Sequence, residues 1–161
     1  MHKLFAILGL LLIFVSCDSE MVMGEMRDLP GYWDKNDELT FQFPQLDSLK
    51  KYDLFLHLRN TNSYPYNNIF LIASIEFPHG KTIVDTLEYR MANADGTWLG
   101  TGIGTVKESK LSYKENVSFF EEGTYRLTLS QAVRNNGAVH GVTQLEGITE
   151  VGFSIQEANQ Q

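Results

Sequence analysis

Residues 52–59 alternate strictly. Tyr52, Leu54, Leu56 and Leu58 face one way, and Asp53, Phe55, His57 and Arg59 the other. A period of two fits an extended strand with one buried face, because successive side chains of a strand point to opposite sides. The pattern returns in 124–129, with Tyr125, Leu127 and Leu129 on one face, and in 151–155, with Val151, Phe153 and Ile155. The apolar, β-branched run 68–77 is expected as a central strand, and Pro78-His79-Gly80-Lys81 as a hairpin turn into 82–90. Turn formers punctuate the rest: Asn60-Thr61-Asn62-Ser63-Tyr64-Pro65, Glu121-Glu122-Gly123 and Asn135-Asn136-Gly137. Residues 48–51 and 130–134 fit single turns. No long 3.6-residue apolar period occurs. The expected fold is mainly β, a single antiparallel β-sandwich of jelly-roll or immunoglobulin-like type, with a barrel as the alternative.

Cys17 is the chain's one cysteine, and it ends a recognisable leader. Met1-His2-Lys3 is a short basic start, 4–15 is an almost unbroken apolar run, and Ser16 is a small residue before the cysteine. That order is a secretory signal with a lipobox-like cleavage site. The run is too short for a membrane span, which needs about 20 apolar residues in a helix. Phe14 stands where a lipobox usually has Leu, Ile or Val. The competing readings are an ordinary signal with an incidental cysteine, or a buried cysteine in an uncleaved chain. In the lipoprotein reading residues 1–16 are the signal peptide and are removed. Cys17 becomes an acylated N-terminus, with chains such as palmitate, and 17–28 is the lipidated start and tether. Residues 29–161 are the sandwich domain. One acyl chain holds weakly, whereas two or more, at about 0.8 kcal/mol per buried methylene, hold firmly. The membrane lipid around acylated Cys17 is thus a partner. Asp18 and Glu20, just after the cysteine, are compatible with a surface-export signal or with a plain soluble linker.

Charge narrows the other partners. The chain carries a net charge of −7, and loses Lys3 with the signal. Such a surface repels phosphates, so nucleic acid is not expected as a ligand. With Cys17 lipidated no disulfide is available, and the fold must stand on burial and hydrogen bonds. Removal of the signal leaves 145 of the 161 residues, enough for one domain with a sizeable core.

Catalytic signals are poor. His57, His79 and His140 are scattered without metal-ligand spacing, so no metal is expected. His57, on the polar face of its strand, fits a solvated or hydrogen-bonded histidine. There is no G-x-S-x-G elbow. Gly100-Thr101-Gly102-Ile103-Gly104 lacks the third glycine of a dinucleotide loop. No cofactor is expected, and an enzyme ranks below non-catalytic roles.

Two aromatic loops carry more information. Tyr64-Pro65-Tyr66-Asn67-Asn68 and Gly96-Thr97-Trp98-Leu99-Gly100 put large rings in turn-rich sequence. Trp98, Leu99, Tyr64 and Tyr66 are the candidate partner-binding residues, because Trp and Tyr offer large contact area with a polar handle. Each ring also fits a plug at the end of the core, most readily Tyr66. The glycine-rich segment 93–105 is expected as an exposed loop docking through Trp98. Asp47-Ser48-Leu49 matches a short O-glycosylation acceptor pattern, which makes Ser48 a candidate modification site. Asp85-Thr86-Leu87 matches it too, but within a strand.

The order of these segments resembles the GldH family of gliding-motility lipoproteins of the Bacteroidota. The resemblance covers most of the chain after the signal. It rests on Tyr32-Trp33, on Leu56-x-Leu58-Arg59-Asn60 leading into 64–68, and on Asp85-Thr86-Leu87. It continues through 96–102 and the closing Gly147-Ile148-x-x-Val151-Gly152. The resemblance implies a small outer-membrane lipoprotein without catalytic residues. Its expected partners are protein components of the gliding and type IX secretion machinery. The runner-up is a glycan-binding surface lipoprotein presenting Trp98 and Tyr64 to sugar rings.

Overall fold

The computed structural model describes residues 21–159, and the alternation of the sequence becomes their architecture. The signal, Cys17 and residues 18–20 lie outside the described residues. The strands are β1 (Met21–Asp28), β2 (Tyr32–Asp34), β3 (Leu39–Pro44), β4 (Tyr52–Asn60) and β5 (Asn68–Glu76), then β6 (Thr82–Arg90), β7 (Lys107–Val117), β8 (Thr124–Gln131), β9 (Gln144–Glu146) and β10 (Ile148–Glu157). They form two four-stranded sheets, in the orders β1-β10-β4-β7 and β3-β8-β5-β6, and a two-stranded β2-β9 pair. Every pairing is antiparallel.

The inward faces of both large sheets share one core. Leu54, Leu56 and Leu58 of β4, Ile69 and Leu71 of β5, and Leu127 and Leu129 of β8 are fully buried. Phe41 and Phe43 of β3 reach across to Phe153 of β10, with ring centroids 5.3 and 5.7 Å apart. Phe43 also stacks on Tyr125 at 5.3 Å. Burial of each such side chain stabilises the fold by about 1.5–3 kcal/mol. The arrangement is sandwich-like. Each large sheet keeps two edge strands, so the barrel alternative does not form.

One open side is latched by polar contacts. Asp85 of β6 accepts from Lys114 Nζ at 2.7 Å and from the Tyr113 hydroxyl at 2.9 Å, both on β7. The Tyr89 hydroxyl donates to the Ser112 carbonyl at 2.7 Å. Lys114 lies first among the causes that hold Asp85 below the usual carboxylate range.

Two expectations change, and one strand had no expectation. The tether expected over 17–28 is a strand from Met21 on, paired along its length with β10. It lacks an apolar alternation because it is an edge strand, mostly exposed, held by its backbone ladder more than by buried side chains. Residues 130–134 are not a turn, since β8 runs to Gln131. β7 went unread because it is an edge strand rich in Lys, Glu and Ser, with only Ser109 and Leu111 buried.

The strand directions sort the loops into two ends. At the end where β1 starts lie loops 45–51, 77–81 and 118–123, together with 158–159. At the other end lie 61–67, 91–106 and 132–143. These are the Met21 end and the Trp98 end. A nine-residue strand such as β4 separates them by about 30 Å.

Candidate functional site

All four candidate partner-binding residues fall at the Trp98 end, but they do not form a flat exposed platform. Gly147, between β9 and β10, sets the base. Its φ of +84° is open to glycine at little cost, and its Cα faces the Tyr64 backbone so closely that a side chain would overlap it. The Thr61 amide donates to the Gly147 carbonyl at 2.8 Å, tying loop 61–67 to this corner. Beneath it Trp33 is fully buried and donates its indole N–H to the Asp37 carbonyl at 2.9 Å.

Tyr64 is only 3% exposed, so its ring has no face left for a partner. Its hydroxyl donates to the Asn68 carbonyl at 2.6 Å, and burial pushes the phenol pKa well above its ordinary value. Tyr66 packs edge-on against Tyr64 at 5.8 Å and donates to Asn135 Oδ1 at 2.7 Å, bridging loops 61–67 and 132–143. Trp98 is half-buried against the core and tilted 50° to Tyr64, with centroids 6.1 Å apart. Its indole N–H donates to Asn62 Oδ1 at 3.0 Å.

The turn before Trp98 is built by Asp95. Its carboxylate accepts from the Thr97 amide at 3.0 Å and hydroxyl at 2.6 Å, which holds its pKa below the ordinary range. Gly96 completes the turn at φ +86°. The Leu99 amide donates to the Met91 carbonyl at 2.9 Å, which turns the Leu99 side chain outward at 44% exposure. Ile103 and Val139 stand exposed on neighbouring loops. The expectation of docking through Trp98 is therefore redistributed: the indole braces the loops, and the free apolar surface belongs to Leu99, Ile103 and Val139. Ser48 lies at the Met21 end, exposed in a turn where Asp47 Oδ1 accepts from the Leu49 amide at 3.0 Å.

A second cluster was not read from the sequence. On the outer face of the β1-β10-β4-β7 sheet, His57 Nε2 lies 2.8 Å from Ser154 Oγ, and His57 Nδ1 lies 3.2 Å from Glu108 Oε1. Arg59 donates to Glu108 at 2.8 Å and to Glu150 at 2.6 Å. Burial is the main cause lowering the His57 pKa from 6.5, so the ring is neutral near pH 7. The hydrogen bond from Arg59 is the main cause lowering that of Glu108. Ser154, His57 and Glu108 stand in the order of nucleophile, base and orienting acid. The chemistry does not follow. Ser154 is 3% exposed and sits in the central strand β10, paired on both sides, at Gly24 and Phe55. Its neighbouring backbone amides are committed to the ladders, so they cannot serve as an oxyanion hole. The cluster instead satisfies polar groups on the sheet. Only the strand register brings these residues together. The sequence signal was limited to His57 on the polar face of β4, where a solvated or hydrogen-bonded histidine was expected. A cleft of about 500 Å³ beside it is lined by His57, Glu108, Arg90 and Leu99, which links this face to the Trp98 end.

Comparison with known proteins adds the lineage. The family model described as GldH lipoprotein matches residues 21–155. The gliding motility lipoprotein GldH of Flavobacterium johnsoniae is 52% identical over 151 residues, covering 94% of this chain and 93% of that one. The gliding motility lipoprotein GldH homolog of Christiangramia forsetii is 48% identical over 157 residues, covering 98% and 96%. Among solved structures, the chain of a 4-O-methyl-alpha-glucuronidase aligns with a TM-score of 0.40 and 12% identity, over 88% of this chain and 18% of that one. A likeness that low carries no argument. The family model and the two relatives agree along nearly the whole length, and the chain belongs to the GldH lipoprotein family.

Proposed function

We propose that this chain is a non-catalytic outer-membrane lipoprotein of gliding motility. It acts as a component or assembly factor of the gliding and type IX secretion machinery. Acyl chains on Cys17 hold it, and the Trp98 end meets a protein partner. The relatives' names supply the process. One observation carries the geometric part: the strand that follows the lipobox-like Cys17 starts at one end of the domain, and Leu99, Ile103 and Val139 stand exposed at the other. Such apolar groups on polar loops suit a protein contact. The fold type we propose is a jelly roll. Its support is the two four-strand orders, β1-β10-β4-β7 and β3-β8-β5-β6, in which the chain crosses between sheets at every step but the β5-β6 hairpin, as nested Greek keys require.

A glycan platform fits less well. Sugar stacking calls for a flat exposed aromatic face, whereas Tyr64 is buried and Trp98 is tilted 50° to it.

Two measurements test the proposal. Metabolic labelling with an alkyne fatty acid should mark the wild type and not Cys17→Ala, which should leave the membrane fraction. A Cys17→Ala protein that stays in the membrane, with an unlabelled wild type, would refute the anchor. Leu99→Glu should keep the thermal midpoint yet fail to restore gliding and secretion in a deletion strain. Full complementation by Leu99→Glu would remove Leu99 from the partner surface.

A further inference from the structure

Two features of the Met21 end together point to one occupant, and the second, chain length, is what separates it from the Trp98 end, whose loops also expose apolar side chains. Its loops carry large apolar side chains in the open: Leu49 at 93% exposure, Phe120 at 61% and Met21 at 61%. Short contacts bind these loops into one unit. Gln45 Nε2 donates to the Phe120 carbonyl at 2.9 Å, and the Ser118 hydroxyl donates to the Lys50 carbonyl at 3.3 Å. The Ala158 amide donates to the Lys51 carbonyl at 2.9 Å, and Met21 pairs with Gln156 two residues before Ala158.

The second feature is chain length. Only residues 18–20 separate Cys17 from Met21, the first residue of β1. Four residue steps reach about 14 Å when fully extended. A domain anchored at Cys17 therefore keeps Met21, the first residue of β1, within that distance of the acylated cysteine.

We infer that the Met21 end rests on the lipid surface itself, with Leu49, Phe120 and Met21 dipping into the headgroup region. This inference rests on the anchor at Cys17 proposed above. The contact is apolar rather than electrostatic. Lys50 is already paired with Glu157 at 2.8 Å, and Glu121 and Glu122 offset Lys51 and Lys81 on the neighbouring loops. Small apolar groups at a domain's end gain from the interface only when a covalent anchor keeps them there, because alone they bury too little area. The strands then stand away from the membrane, and the Trp98 end is carried about 30 Å outward.

The test uses the lipidated full chain, extracted from native membranes. In the anchored protein Cys17 is consumed by acylation, so one added cysteine gives one label. Leu49→Cys, Phe120→Cys, Ile103→Cys and Val139→Cys are each labelled with an environment-sensitive fluorophore. Each is then reconstituted in vesicles of phosphatidylethanolamine and phosphatidylglycerol containing a doxyl-labelled quencher lipid. Labels at 49 and 120 should shift to the blue and lose most of their emission, while those at 103 and 139 should keep theirs. All four positions are exposed, so the variants keep the fold. Flotation of the unsubstituted chain with the vesicles is the parallel measurement. Flotation without quenching at 49 and 120 would overturn the docking and leave the anchor intact. A chain that neither floats nor carries fatty acid would overturn both.

Discussion

At the Met21 end the exposed apolar groups sit on short connections, Leu49 in a tight turn and Phe120 just after β7. At the Trp98 end two of the three connections, 91–106 and 132–143, are long, and the aromatic rings of 61–67 and 91–106 are folded down onto the core. The two ends solve different problems. A short loop needs little support, because adjoining strands hold both its ends: Phe119 of 118–123 is buried in the core, and Leu49 and Phe120 are left free. A long loop must find partners for its own backbone and bury some of its own surface. Tyr64, Tyr66 and Trp98 supply the buried surface, and the Asn68 carbonyl, Asn135 and Asn62 accept their respective hydrogen bonds. Aromatic residues in a turn-rich segment thus report first on loop support. The apolar surface left exposed is whatever the support does not use, here Leu99, Ile103 and Val139.

Two glycines give the strongest way to break this comparison. Gly147 and Gly80 both have positive φ, +84° and +90°. A Cβ on Gly80, in the short hairpin loop of the Met21 end, would meet nothing within 4 Å. A Cβ on Gly147 would run into the Tyr64 backbone. Gly80→Ala should therefore cost only the backbone term, about 1 kcal/mol. Gly147→Ala adds an overpacking cost of about 1–3 kcal/mol and should lower stability by about 3 kcal/mol in total. Denaturant midpoints on the two variants separate the cases. Equal effects would mean that loop 61–67 is not pinned by this corner.

Trp98→Ala comes next. Full burial would cost about 3–5 kcal/mol, but the indole is half-buried, so about 2 kcal/mol is expected. Tyr66→Phe removes one hydrogen bond between loops and should cost about 1 kcal/mol. If Trp98→Ala left the thermal midpoint unchanged, the indole would be a free contact residue and the contrast between the ends would weaken.

The parts of the fold that were legible are those where one face is wet and the other dry. β4, β8 and the middle of β10 were readable because alternation survives wherever a strand has a single buried face. β5 showed as an apolar, β-branched run, and the edge strand β6 only through the turn that precedes it. β1 and β7, edge strands without such a turn signal, bury too little for a pattern to show. The candidate partner residues lie in loops at one end of the domain, but their exposure was not readable. Tyr64 and Leu99 look alike in sequence, each a large residue beside turn formers, yet one is sealed by Gly147 and the other turned out by the Asp95 turn. The Ser154–His57–Glu108 row was illegible for a different reason. Its members come from three strands, and only the register makes them neighbours.

That row gives a smaller effect, and its sign follows from the protonation states. Burial lowers the folded-state pKa of His57 below 6.5, so the unfolded chain binds more protons just below that pH. The stabilisation is complete above about pH 6.5 and is lost as pH falls through the folded value. Glu108, lowered from 4.5 by Arg59, loses its contribution in the same direction at lower pH. The wild-type thermal midpoint should therefore decline below pH 6.5. His57→Gln should flatten the first part of that decline while keeping the part below pH 4.5. A His57→Gln profile parallel to the wild type would show that the ring is not the group titrating.

The smallest expected effects on stability fall on two exposed leucines, one at each end. Leu49 and Leu99 are both exposed, and neither contributes to the core. Leu49→Glu and Leu99→Glu should each change stability by less than about 0.5 kcal/mol. Their consequences in the cell should differ. Leu99→Glu places a charge at the centre of the proposed partner surface, where an unpaired buried carboxylate is costly, and gliding should fail. Leu49→Glu meets only the headgroup region, and the acyl chains on Cys17 dominate membrane affinity, so the protein should stay in the membrane fraction and support gliding. Fractionation and spreading assays on the two strains read both outcomes. Loss of gliding from Leu49→Glu with normal fractionation would move the functional contact to the Met21 end and reverse the assignment of the two ends.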